Sequence, residues 1–134
     1  MKMFILSLSL SFCTLVNAQT QLDYNERAYA KYYEADSALN AVYQQVKAEY
    51  KEDTLFIKSL KISQRLWIKL RDADLTMRFP KEDKSFNYGS IFPFCYTNLK
   101  RESTEARTKV LMLWLKGIEE GDICSGSVKI VEME

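Results

Sequence analysis

The chain contains no histidine, and only two prolines and four glycines among 134 residues. Without histidine, Ser–His and Cys–His nucleophile pairs and the usual zinc sites are excluded. Carboxylate chemistry, which needs only Asp and Glu, is not. Both prolines and one of the glycines fall between residues 80 and 93, so long stretches on either side are free of helix breakers. Charge of one sign is also missing, with 19 basic against 18 acidic residues. No global field steers nucleic acid or a strongly charged partner, and any recognition by charge must be local. Cysteine is sparse, at three.

What is present begins with an export signal. Lys2 supplies a positive start, Met3 to Leu15 is apolar apart from small Ser, Cys and Thr residues, and Val16-Asn17-Ala18 has the small-x-small pattern of a cleavage site. A run of thirteen residues is too short for a permanent membrane anchor, which needs about twenty. The reading is a signal peptide over 1–18 and a mature chain from Gln19, periplasmic or secreted, with no transmembrane anchor after cleavage. The alternative is a lipoprotein attached through Cys13, against which stands the bulky Phe12 before it. Removing residues 1–18 leaves 116 residues, the size of one domain, with 18 basic and 18 acidic side chains. The two remaining thiols, Cys95 and Cys124, are expected to join in an oxidising compartment. Closing that loop would contribute roughly 3–4 kcal/mol by chain entropy. The alternative is two free thiols, one of them on a frayed tail.

Periodicity predicts an all-α fold. From about Leu22 to Lys51, Tyr32, Ala35, Leu39, Val42, Tyr43, Val46 and Tyr50 recur at helical steps. A second helix is expected from an N-cap at Asp53 or Thr54 to about Arg78, with Phe56, Ile57, Leu60, Trp67, Ile68 and Leu75 on one side and Pro80 as its stop. Residues 79–93 read as one long irregular loop. A helical turn around Phe94 to Leu99 precedes a last helix from about Ser103 to Gly117. The tail from 118 to 134 reads as a short strand around Ser127 to Val131 or as loose chain. The architecture expected is an antiparallel helical hairpin with a third helix packed across it, a three- to four-helix bundle.

Polar residues interrupt the apolar stripes. Gln64 and Arg71 fall within the arc of Ile57, Leu60, Trp67 and Leu75, Arg107 lies between Val110, Leu111 and Trp114, and Asp36 is close to Leu39 and Tyr43. Buried charges are costly unless paired. A structural network is therefore expected, with Asp36 and Arg71 as an inter-helix ion pair completed by Asn40, Gln64 and Arg107. The alternative is an open anion site at Arg71 and Arg107.

The same residues carry a family resemblance. Ala35-Asp36-Ser37-Ala38-Leu39-Asn40-Ala41-Val42-Tyr43 is similar to the AD-x-x-LN-x-x-Y segment of the LprI-like family of small exported bacterial domains, named after a lysozyme inhibitor. Gln64 to Asp72 resembles its Q-x-x-W-x-x-x-RD signature, and Gly89-Ser90, Cys95, Arg107-Thr108 and Leu111 match later landmarks in order. The resemblance covers about residues 23–113. The family usually has cysteines near Arg27 and at Leu75, and both are missing here, which leaves Cys124 as the only partner for Cys95. The resemblance implies an exported, helical, non-catalytic protein and a lysozyme as its partner.

Three functions compete. As an inhibitor, the chain would present the loop before Cys95, with Lys81, Lys84, Phe86, Tyr88, Ser90 and Phe92 entering a sugar-binding cleft whose carboxylates attract the lysines. The plainer reading is that the loop aromatics seal the end of the bundle. As an envelope structural or assembly factor, it would bind another exported protein through a helical face carrying Tyr29, Tyr32, Tyr33 and Tyr50. As an enzyme it would need paired carboxylates, but Asp72 with Asp74 and Glu119 with Glu120 are too close in sequence to face each other on a helix. The expectation is no catalysis, no metal and no cofactor.

Overall fold

The structure, a computed structural model, describes the backbone of residues 2–132 and the side chains of residues 20–132. The side chains of the export segment and of Cys13 lie outside the described residues. Four helices follow in order: α1 (Lys2–Glu49), α2 (Thr54–Arg78), the short α3 (Lys84–Tyr88) and α4 (Phe92–Lys116). Two-residue strands β1 (Ile118–Glu119) and β2 (Ile130–Val131) pair in parallel after them. The fold is all-α, as the periodicity predicts.

The long helices form an up-down-up bundle. The carboxylate of Asp53 caps α2 by accepting from the Phe56 N–H at 2.9 Å, so α1 turns sharply into an antiparallel partner. Cross-helix contacts then fix the directions. Tyr24 meets Phe94, Lys100 sits over Tyr32, and Tyr50 reaches Trp114, so α1 and α4 run parallel. Phe56 stacks on Trp114, Gln64 meets Arg107 and Phe79 meets Tyr96, so α2 is antiparallel to both. The third long helix thus lies along the hairpin rather than across it, and α1 approaches α4 more closely than either approaches α2.

Small side chains allow that approach. On α1 the inward residues Ala28, Tyr32, Ala35, Leu39, Val42 and Val46 alternate steps of four and three, a heptad pattern. On α4 the buried Thr97, Thr104 and Leu111 follow seven apart. Thr104 is 0% exposed, and its hydroxyl donates to the Lys100 carbonyl one turn back at 2.8 Å, so that buried hydroxyl is satisfied. The apolar core, Leu39, Val46, Phe56, Leu60 and Leu111, fills the end where α1 turns into α2.

Three expectations need correction. The last helix begins at Phe92, eleven residues before Ser103, because Pro93 stands in its first turn, where a missing N–H costs nothing. The long loop is not uniformly irregular, since α3 occupies its middle. The Cys95–Cys124 disulfide is not formed, and both thiols are free. Cys95 sits in the first turn of α4, which rises about 30 Å from there to Lys116. The tail carrying Cys124 is held at that far end by Ile118 N–H to Lys129 O and Trp114 Nε1–H to Ser127 Oγ. A disulfide needs Cα atoms within about 7 Å.

Candidate functional site

The segment between α2 and α4 is an elbow built on local hydrogen bonds. Asp83 caps α3 by accepting from the Phe86 N–H at 2.9 Å, and Asn87 Nδ2 donates to the Asp83 carbonyl at 2.7 Å. Gly89 ends α3 at φ +75°, a conformation that L side chains rarely adopt. Lys84 turns back, its ammonium donating to the carbonyls of Phe79 and Lys81 at 2.6 Å each, where the negative end of the α2 dipole favours a cation.

Aromatic rings brace the elbow from below. Phe79 lies edge-on to Tyr88 at 5.2 Å and to Phe92 at 5.1 Å, and Phe92 meets Tyr96 at 5.6 Å. The Tyr88 hydroxyl accepts from the Lys81 N–H at 3.1 Å. These rings seal the end of the bundle opposite the main core.

The six loop residues expected to meet a partner therefore divide. Lys84, Tyr88 and Phe92 are engaged within the fold. Lys81, Phe86 and Ser90 face solvent, and Phe86 stands out at 85% exposed on a braced helix. The tyrosines of α1 divide likewise: Tyr32 lies under Lys100 and Tyr50 is tied to the core end, while Tyr29 and Tyr33 are exposed.

The polar network divides into local pieces. Arg71, 9% exposed, pairs with Asp72, Nε at 2.9 Å and Nη2 at 2.8 Å from the same Oδ1. Asp36 instead accepts from Asn40 on its own helix at 3.2 Å. The expected Asp36–Arg71 bridge is thus absent among the described residues. Asp36 lies one position past the inward Ala35, on the flank of the α1–α4 seam, and the acid next to Arg71 in sequence is already within its reach. The other half of the network does cross helices: Arg107 donates to Gln64 Oε1 and Ser63 Oγ, both at 2.9 Å. Burial pushes the Arg107 guanidinium below its usual pKa. Trp67 lies under both arginines, 5.1 Å from Arg71 and 5.8 Å from Arg107.

A family model described as lysozyme inhibitor LprI matches residues 13–111. The chain belongs to this family. No curated protein and no solved structure matches it. The LprI family is one of exported bacterial inhibitor proteins. The motif residues of the LprI resemblance serve the fold here: Ala35 and Leu39 are buried on α1, Gln64 and Trp67 meet Arg107 of α4, and Arg71 pairs with Asp72 within α2. Among the described residues no group of three or more His, Cys, Asp or Glu side chains could hold a metal ion, and no helix is long and apolar enough to cross a membrane. The buried Thr97 and Thr104 escape the sequence reading, although their seven-residue spacing is a signal, and so does a row of cations on α2.

Proposed function

We propose that this LprI-family chain is a non-catalytic exported protein, cleaved after Ala18, that inhibits a lysozyme by placing the elbow in its sugar-binding cleft. Phe86 is the anchor, and Lys81 and Ser90 are the polar contacts beside it. The single observation carrying this reading is the 85% exposure of Phe86 on a short helix held by its cap, by Lys84 and by the rings beneath. An exposed aromatic on a rigid support loses little freedom on binding. Glycosidase clefts are flanked by carboxylates, so Lys81 gains a partner there. Lys84, Tyr88 and Phe92 act indirectly, by fixing the elbow.

Phe86→Ala should weaken inhibition by about tenfold, or about 1.4 kcal/mol, with no change in melting temperature. Tyr88→Ala should instead lower the melting temperature. An unchanged inhibition constant for Phe86→Ala would move the contact elsewhere. If the parent inhibits no lysozyme of the chicken, goose or invertebrate type, the inhibitory reading falls. The exposed Tyr29 and Tyr33 would then favour the second reading, an assembly factor that binds another exported protein through α1.

A further inference from the structure

Helix α2 carries a second amphipathic surface that the bundle does not use. Lys58, Lys61, Arg65 and Lys69 follow at steps of three, four and four and make one row along about 17 Å of helix. Among the described residues none of the four has an ion pair. Beside them runs an apolar row of Leu55, Ile62, Leu66 and Leu70, with Leu66 and Leu70 59% and 60% exposed. An open groove of ≈ 520 Å³ on this side is lined by Lys51, Lys58, Lys61 and Arg65 together with Ile57 and Ile62. The nearest acids do little to offset the row. Glu52 meets Lys51 only at 4.0 Å, and Asp72 is taken by Arg71.

We propose that this face of α2 docks on an anionic phospholipid bilayer, the cations on headgroup phosphates and Ile62, Leu66 and Leu70 at the acyl boundary. Two observations favour a bilayer over an acidic protein. Three of the four cations are lysines, which protein interfaces disfavour and membrane-surface helices use, since the long stem lies along apolar surface while the ammonium reaches water. Both rows also run straight along one helix and present an edge that suits a plane. Every anionic headgroup it meets is attracted to cations that have no ion pair among the described residues. The elbow lies beyond the far end of α2, about 30 Å from Lys58, and stays free while the face is occupied. The proposal is therefore independent of the lysozyme reading.

The test is co-sedimentation of the exported protein, the chain from Gln19, with vesicles of phosphatidylcholine alone and of phosphatidylcholine with phosphatidylglycerol. The expected result is at least roughly tenfold stronger partitioning to the anionic vesicles, largely lost at about 0.5 M salt. The triple variant K58E/K61E/R65E should lose this preference. L66S/L70S, which keeps the charges, should also bind more weakly. All five positions are exposed, so melting temperatures should match the parent. Equal binding of parent and triple variant would overturn the proposal, as would binding indifferent to phosphatidylglycerol. Full binding by L66S/L70S would overturn the bilayer as occupant and leave a purely electrostatic surface.

Discussion

At the residue scale, Arg71 shows how a long side chain chooses its partner. A carboxylate on the next residue does not face it by Cβ direction, yet the guanidinium bends round and donates from Nε and Nη2 to Asp72 Oδ1. Spacing rules built on Cβ positions miss such pairs, which is why the sequence pointed to Asp36 instead. The Arg107–Gln64 contact was legible, because both residues interrupt apolar stripes on helices that must meet. The stability consequences separate the two acids. Asp72→Ala leaves a mostly buried guanidinium without its carboxylate and should cost about 1–2 kcal/mol, below the fully buried case because Asp72 is itself half exposed. Asp36→Ala should stay within about 0.5 kcal/mol, since it removes one exposed amide contact. Denaturant midpoints of the two variants decide between this arrangement and an inter-helix bridge.

At the scale of elements, α2 was legible almost to the residue because its signals agree. Asp53 caps it, its inward stripe is apolar but for Gln64 and Arg71, and Pro80 stops it. The start of α4 was hidden for two physical reasons. Pro93 breaks a helix only in its interior, and two of the three fully inward positions are threonines, which count as polar in any periodicity. Sequence gives no sign of which aromatics of the elbow turn inward, so its candidate contacts read as one surface. Its division follows from Lys84 and Phe79, which pull Tyr88 and Phe92 beneath the chain and leave Phe86 outside. The α4 seam makes its own prediction. Thr104 contributes size rather than an inter-helix hydrogen bond, since its hydroxyl returns to its own helix. Thr104→Val should therefore change stability by less than about 1 kcal/mol, whereas Thr104→Leu should cost about 1–3 kcal/mol by overfilling a fully buried position. Thermal melts of the pair would contradict this if both variants were equally tolerated.

At the scale of the whole molecule, the tail is an integral part of the fold although it lies outside the segment shared with the LprI family. Tyr50 at the end of α1 donates to the Trp114 carbonyl at 3.0 Å and accepts from the Lys129 N–H at 3.1 Å, so one hydroxyl joins α1, α4 and the tail. Lys129 also pairs with Glu49. Gly117 admits the tail at φ +78°, where a Cβ would stand 2.7 Å from Val131 Cγ1. Tyr50→Phe removes both bonds at once and leaves two backbone groups to find water. The expected cost is about 1–2 kcal/mol, with limited proteolysis cutting the tail sooner than in the parent. A tail that resists protease equally in both proteins would show that the strand pair and the Ser127 and Lys129 side-chain contacts hold it without Tyr50. The sequence left this segment open between strand and loose chain, because two-residue strands carry no periodicity to read.

The parallel approach of α1 and α4 has a consequence for how the chain reaches its fold. Its partners are far apart along the backbone, Tyr24 with Phe94 and Tyr32 with Lys100, separations of about seventy residues. The hairpin of α1 and α2 closes a turn of four residues, so its cost in chain entropy is small. The tightest seam of the molecule must wait until α2, the elbow and α4 have all been threaded back alongside α1. Non-local pairing of this kind slows folding relative to bundles whose closest neighbours are consecutive. Loop-closure entropy thus favours the looser hairpin over the close pair, so the most intimate contact of the bundle is also the most costly to close.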